Sequence, residues 1–350
     1  MNHAQRLLIP RKLQRGDRVA VLSPSWAGPA IYPDVHDAGL RVLRGELGLE
    51  VVEYPTTREL NASPRDRARD INAAFADPTI GAVLASIGGD DQITVLPYLD
   101  PDVVAANPKA FFGFSDNTNL LNWLWTLGIA SYHGGSTLLH LARRGGVHDV
   151  ALQSLRHALF DEGTFEITAL ERFTEVYRKW DEEPSLVEPL PTSPEPGWRW
   201  HQATTSASGP TWGGNLEILH WNLAVNRWIL PVEEYAGCVL LLETSEEMPS
   251  GEEVFRMLRD FGERGLLGQF SAVVVAKARA WTTDRPLSGL EREQYRDEQR
   301  RAVLTVMATY NPEAMVVIGP DFGHTDPQYI VPYGGVMTVD GPGRRITAQY

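Results

Sequence analysis

A chain of 350 residues exceeds the usual size of one hydrophobic core, and at roughly 150 residues per domain it implies about two domains. Hydrophobic residues at 43% and charged residues at 22% exclude disorder and fibrous repeats, while 32 basic against 45 acidic residues give a formal charge of -13 that would repel nucleic-acid backbones and anionic lipid. The start carries only the short apolar patch Leu7 to Ile9, and no later run approaches about 18 apolar residues, so the expectation is a cytoplasmic protein with neither a nucleic-acid nor a membrane partner.

In chain order, DRVAVLSPS (17–25) reads as a strand, residues 34–47 as a helix and EVVEYP (50–55) as a strand. Residues 64–76 read as a helix capped by Ser63 with Pro64 at its first position. TIGAVLASIGG (79–89) and KAFFGFS (109–115) follow as strands ending in glycines and in Ser115. Alternation of this kind predicts a parallel sheet covered by helices, whose carboxyl edge is where open α/β folds place their sites.

From about residue 160 to 208 the pattern dissolves into a stretch rich in proline, serine and charge. It is too long for an ordinary connection, and Trp180, Trp198 and Trp200 favour a binding loop over a solvated linker, which needs no such residues. A second alternation then begins: a helix near 214–225, the strand CVLLLET (238–244), and a helix from Ser250 with Glu253 completing a capping box. The strand FSAVVVAKA (270–278), a charged helix near 289–310, the strand AMVVIG (314–319) and two strand-like runs in 335–350 close the chain. Cys238, the only cysteine, lies inside an apolar run where a small buried hydrophobe is its natural role.

A strand that delivers a serine into a tight turn and then a helix has the form of a nucleophile elbow, which exposes the hydroxyl and aims backbone N–H groups at a developing oxyanion. GFSDN (113–117) has that form without the second glycine of G-x-S-x-G; the simpler reading of Ser115 is a helix N-cap. A reactive serine needs a base. Of nine histidines, only His133 in SYHGG and His324 in GPDFGHTDPQ sit at strand ends or in glycine-rich loops. A carboxylate should orient the imidazole, and Glu243 is dragged to the sheet edge by a strand too apolar for the surface, whereas Glu246 and Glu247 read as solvated loop residues.

Ser115 in GFSD, Glu243 at its strand end and His324 in GHTDP resemble the LD-carboxypeptidase family of serine peptidases, including its microcin C immunity subgroup. SIGGDD (86–91), LPYLD (96–100), NPKAFFGFSDNT (107–118), SYHGG (131–135), GGNLEIL (213–219) and HTDPQYIVPYG (324–334) extend the likeness over roughly residues 15–345. The resemblance implies a two-domain α/β fold: an N-terminal parallel-sheet domain with the nucleophile elbow (1–160), a connecting and substrate-binding loop (161–208) and a C-terminal α/β domain (209–350), with the active site between them and a homodimer as the common assembly. Carried over, Ser115 is the nucleophile, His324 the base and acid, and Glu243 its orienting partner, with the backbone N–H groups of Gly89 and Asp116 as oxyanion hole. No cofactor or metal is implied, and no H-E-x-x-H ligand set is present.

Gly135 departs from the proline that many members carry after HG, and the extra length of this chain falls in the tryptophan-bearing loop. In the immunity subgroup a tryptophan there stacks on the nucleobase of a peptidyl nucleotide; Trp180 matches it, with an aromatic loop anchor as the alternative. The expected activity is therefore a serine carboxypeptidase-type hydrolase acting on a small peptide or on peptidyl or aminoacyl nucleotides. Murein tetrapeptide LD-carboxypeptidase is the runner-up, and a non-catalytic small-ligand-binding α/β protein is the alternative of another class. A nucleotide-dependent transferase is disfavoured by the absence of a G-x-x-x-x-G-K-[ST] phosphate loop.

Overall fold

The computed structural model describes residues 2–177, 179–181 and 186–350; of the connecting stretch 161–208, Arg178 and residues 182–185 therefore lie outside the described residues. Strands β1 (Arg18–Leu22), β2 (Glu50–Glu53), β3 (Ile80–Ala85), β4 (Ala110–Gly113) and β5 (Ser131–His133) run parallel to one another. β3 and β4 are buried along their whole length, as expected of parallel strands covered on both faces. The helix between β2 and β3 spans Pro64–Ala76, and its Ser63 cap accepts from the Asp66 N–H at 3.2 Å.

The connecting stretch is not structureless. It holds β6 (Thr164–Ile167), β7 (Arg172–Phe173), β8 (Ser193–Pro194) and β9 (Arg199–His201). The rest of the chain adds β10 (Ser206–Asn215), β11 (Val239–Glu243), β12 (Ala272–Val275), β13 (Met315–Ile318), β14 (Val331–Tyr333), β15 (Val336–Asp340) and β16 (Arg345–Gln349). Among the described residues these form a six-stranded sheet in the order β14-β5-β4-β3-β1-β2, an eight-stranded sheet in the order β6-β16-β15-β10-β11-β12-β13-β9, and the pair β7-β8. β10 to β13 are parallel, and the strands flanking them are antiparallel, so both sheets are mixed.

β10 corrects the sequence reading, which left residues 206–208 in the loop and began a helix near 214. The helix starts at Leu216, and the residues before it form a strand in the middle of the second sheet. Glycine allows this: Gly213 and Gly214 have φ of +139° and +108°, and a Cβ on Gly213 would fall on the Leu241 carbonyl of β11.

The two sheets share a core around the helix Thr118–Thr126. Trp125 stacks on Tyr235 with centroids 5.0 Å apart, and Trp212 Nε1 donates to Asn122 Oδ1 at 3.0 Å. That helix begins just after Ser115, so the packing that joins the sheets also fixes the turn carrying the serine. Cys238 is buried in the same core, and burial pushes its thiol up to about 12, which leaves it inert. Among the described residues no helix is long and apolar enough to cross a membrane.

Candidate active site

At the carboxyl end of β4 the chain turns on Gly113, where a Cβ would stand only 2.7 Å from Asn117 Cβ. Ser115 then takes φ +59°, a left-handed conformation that costs a residue with a Cβ about 1–2 kcal/mol. Neighbouring side chains hold it there. Asn117 Nδ2 donates to the carbonyls of Ile87 (3.1 Å) and Phe114 (3.2 Å), and Gln92 ties Asn117 to the next helix by donating to Asn117 Oδ1 at 2.8 Å and accepting from the Leu120 N–H at 2.9 Å. Asp116, 1% exposed, accepts from the Gln92 N–H at 2.9 Å, from Asn119 Nδ2 at 2.8 Å and from the Ser25 hydroxyl; burial raises its carboxyl above the usual range. Ser115 is thus a strained elbow residue, half-buried, whose own side chain caps nothing.

The glycines after β3 approach this elbow. A Cβ on Gly88 would lie 3.0 Å from Ser115 Cβ and 3.1 Å from its Oγ, with the Asp116 nitrogen at 3.5 Å. Gly89 is pressed instead against Ser25 and the Trp26 nitrogen. The absence of a Cβ at Gly88 is what lets this turn approach the serine so closely.

Glu243 ends β11, a strand buried throughout, and is itself 1% exposed. His324 lies in the loop between β13 and β14, and its Nδ1 donates to Glu243 Oε2 at 2.5 Å. Gly323 permits the approach, since a Cβ there would stand 3.0 Å from both Glu243 Cβ and Ala276 Cβ. The His324 ring also lies 5.0 Å from Phe114, the residue preceding Ser115, so the serine turn and the histidine loop are neighbours across the two sheets. His324 Nε2 is turned to Glu246 Oε2 at 3.1 Å rather than to the serine hydroxyl. Glu246, read from sequence as a solvated residue, is thus a partner of the imidazole; it follows Glu243 closely on the same strand exit, and that adjacency is the signal the sequence offered. Burial opposes charge on His324, but the attraction and hydrogen bonds of Glu243 and then Glu246 outweigh it and raise the ring to about 10.

His133, the other histidine singled out, is the last residue of β5 and fully buried, with both ring nitrogens lacking hydrogen-bond partners among the described residues. Its Nε2 stands 4.0 Å from Glu243 Oε1. Burial, aided by the charge of His324 and only partly offset by Glu243, lowers it to about 4.

Trp180 is 6% exposed and packs edge-on against Tyr32 (5.0 Å) and Tyr177 (5.6 Å). It also walls a cavity of about 100 Å³ whose lining includes Phe114, His140, Arg279 and His324. The residue both anchors its loop and faces the space beside the imidazole. Among the described residues no cluster of three or more His, Cys, Asp or Glu side chains is arranged to hold a metal ion.

Residues 19–134 match the LD-carboxypeptidase N-terminal domain and residues 208–339 the LD-carboxypeptidase C-terminal domain. The microcin C7 self-immunity protein MccF of Escherichia coli is 26% identical over 358 aligned residues, covering 98% of this chain and 96% of its own. The murein tetrapeptide carboxypeptidase of Pseudomonas aeruginosa is 34% identical over 125 residues, 33% of this chain and 38% of its own. The structure of MccF in complex with aspartyl sulfamoyl adenosine superposes with a TM-score of 0.84 at 22% identity, covering 98% of both chains. Two domain matches in the same order, one holding the serine elbow and the other the glutamate and histidine, place this two-domain α/β chain in the LD-carboxypeptidase family, as a serine-type carboxypeptidase.

Proposed function

We propose that the chain cleaves an amide bond through an acyl-enzyme carried on Ser115, with His324 as general base and acid and Glu243 as its orienting carboxylate. The observation that carries this reading is the short Glu243–His324 hydrogen bond set beside a serine held in left-handed backbone at a strand end. Ser115 Oγ attacks the carbonyl carbon and its proton passes to His324 Nε2. The oxyanion is received by backbone N–H groups, those of Asp116 and Gly89; the amine leaves with the proton, and water then repeats the sequence to release the acid. Glu243, buried and bonded to Nδ1, keeps Nε2 as the working nitrogen.

The substrate favoured is a peptidyl or aminoacyl nucleotide, in keeping with the full-length likeness to the microcin immunity protein and with Trp180 in the wall beside His324. A cavity of about 100 Å³ is well below the roughly 300 Å³ at which small-molecule pockets begin, so it would take up part of a nucleotide substrate, with the rest outside it. The likeness of part of the chain to the murein tetrapeptide carboxypeptidase favours the second reading, an LD-peptide cut between an L- and a D-centre. Assembly as a homodimer belongs to the same proposal and is read by light scattering.

A hydrolysis panel comparing an LD-tetrapeptide with an aminoacyl sulfamoyl adenosine, followed by mass spectrometry, separates the two substrates. A fluorophosphonate should label the wild type and not Ser115→Ala. No labelling together with no turnover of either substrate would overturn the hydrolase reading in favour of a ligand-binding module.

A further inference from the structure

To take the hydroxyl proton of Ser115, His324 must offer an unprotonated Nε2, because Nδ1 already donates to Glu243. In the structure that nitrogen faces an acceptor, the Glu246 carboxylate at 3.1 Å. A carboxylate near each nitrogen favours the doubly protonated ring, with Nδ1–H donating to Glu243 and Nε2–H in ionic contact with Glu246. Such a ring is an acid, and the first step of acylation needs a base.

The turn that presents Glu246 is fixed at its two ends. Ser245 N–H and Oγ both donate to Glu217 Oε1, at 2.9 and 2.7 Å, and Arg285 Nη1 donates to the Met248 carbonyl at 3.1 Å. The Glu246 side chain between these anchors is 56% exposed, with solvent into which it can swing. The other titratable or charged groups around His324 come from every element packed on it. Glu243 stands at the end of β11, with Glu217 behind it raised to about 7 by burial. His133 from β5 and His140 from the turn after β5 are held neutral by burial, at about 4 and about 3. Arg279, after β12, acts on Glu246, and Asp326, two residues beyond the histidine, is bound to Arg143 at 2.6 Å.

We propose that Glu246 is a positioning residue that gates the base: in the free protein it holds the Nε2 proton of His324, and substrate entering the cavity turns it out so that Nε2 faces Ser115. The proton balance is simple. Glu246, held as a carboxylate well below the usual range by His324, turns out still ionised; without it the ring's hold on its second proton weakens, Nε2 releases that proton to water, and the ring keeps Nδ1–H on Glu243 and presents a lone pair at Nε2. The raised proton affinity of His324 agrees with the resting half of this scheme. The gate rests on the Ser115, His324 and Glu243 reading above.

Two measurements test it separately from that reading. Histidine imidazole nitrogens are titrated by NMR in Ser115→Ala, with and without Glu246→Gln; this needs no substrate. Removing the charge should lower the pH at which His324 titrates by about one unit or more, since a neutral amide no longer favours the charged ring. An unchanged titration would overturn the gate whatever the enzyme cleaves. The second measurement is the pH profile of kcat/KM, whose acid limb reports the free enzyme. In Glu246→Gln and Glu246→Ala that limb should move down by a similar amount, so that activity on its acid side rises roughly tenfold per unit. A shifted titration with an unshifted limb, or a uniform loss of kcat/KM at every pH, would also overturn the gate, the latter by making Glu246 a substrate contact. Fluorophosphonate labelling and the turnover of Ser115→Ala and His324→Ala decide the triad reading.

Discussion

Replacing Ser115 by glycine should abolish turnover and yet leave the protein more stable than replacing it by alanine does. Ser115 holds φ +59°, and left-handed backbone costs a residue bearing a Cβ about 1–2 kcal/mol. Ser115→Ala keeps the Cβ and with it the cost; Ser115→Gly sheds it. Opposing this, glycine gives the unfolded chain extra freedom, worth about 0.4–1 kcal/mol. The difference spans about 0 to 1.6 kcal/mol, centred near 0.8, in favour of the glycine variant over the alanine variant. Alanine is the proper reference because both variants lack the hydroxyl, so any stability that it contributes cancels. Both should lose about four orders of magnitude or more in kcat, since members of a triad act as a unit. Equilibrium urea unfolding, fitted with a common m-value, reads the stability difference. A glycine variant no more stable than the alanine variant would show that the elbow stores no strain and that the Asn117 and Gln92 network opposes nothing. Wild-type-like turnover in either folded variant would remove Ser115 as the nucleophile.

His324→Ala should abolish kcat/KM while His133→Ala lowers it only partly, because in the proposed mechanism only the former takes the serine proton; the reverse ranking would place the base in the first sheet. Trp180→Ala should cost roughly 1–3 kcal/mol on a nucleotide-bearing substrate if the indole stacks on the base, about a 5- to 150-fold loss of kcat/KM, and little on an LD-tetrapeptide. Equal losses on both would assign Trp180 to holding its loop against Tyr32 and Tyr177. Lys277, buried and bonded to Asp321 at 2.6 Å and to Glu195, neutralises two buried carboxylates. Lys277→Met should lower unfolding stability by about 3–5 kcal/mol, as breaking a buried pair does, and a urea-measured loss under about 1 kcal/mol would contradict that.

Elements marked by their own ends were legible in the sequence. Ser63 with Pro64 fixed the start of one helix, and the capping box of Ser250 with Glu253 fixed another. Strands made of unbroken apolar runs were legible for the same local reason. β10 was not, because SASGPTWGGN neither alternates nor concentrates β-branched residues; its extended form is imposed by pairing with β11 and β15. β14 was hidden by its three-residue length and its proline, which the antiparallel partner β5 tolerates. At the site, Ser115, Glu243 and His324 could be picked out because each closes or follows a strand. Which of Glu246 and Glu247 comes within reach of the imidazole could not, since identical neighbours differ only in where the folded His324 loop lies. Nor does any local pattern say that His133 ends 4.0 Å from the free oxygen of Glu243, a closeness that only the shared core of the two sheets creates.

The edge position of β14 bears on how this protein is synthesised and recombined. Among the described residues the outer strand beside β5 is Val331–Tyr333, so the first sheet keeps an open edge on the ribosome until that segment, about 200 residues after β5, has emerged. The same short segment is bound to the second sheet, where the Tyr333 hydroxyl donates to the Gly213 carbonyl at 3.0 Å and the Gly334 N–H to the Thr211 carbonyl at 2.9 Å. The two halves are consequently not interchangeable parts. A C-terminal half grafted onto a foreign N-terminal half brings β14 with it and has to match the edge of a new β5, or the chimera inherits an unpaired strand beside its active-site loop.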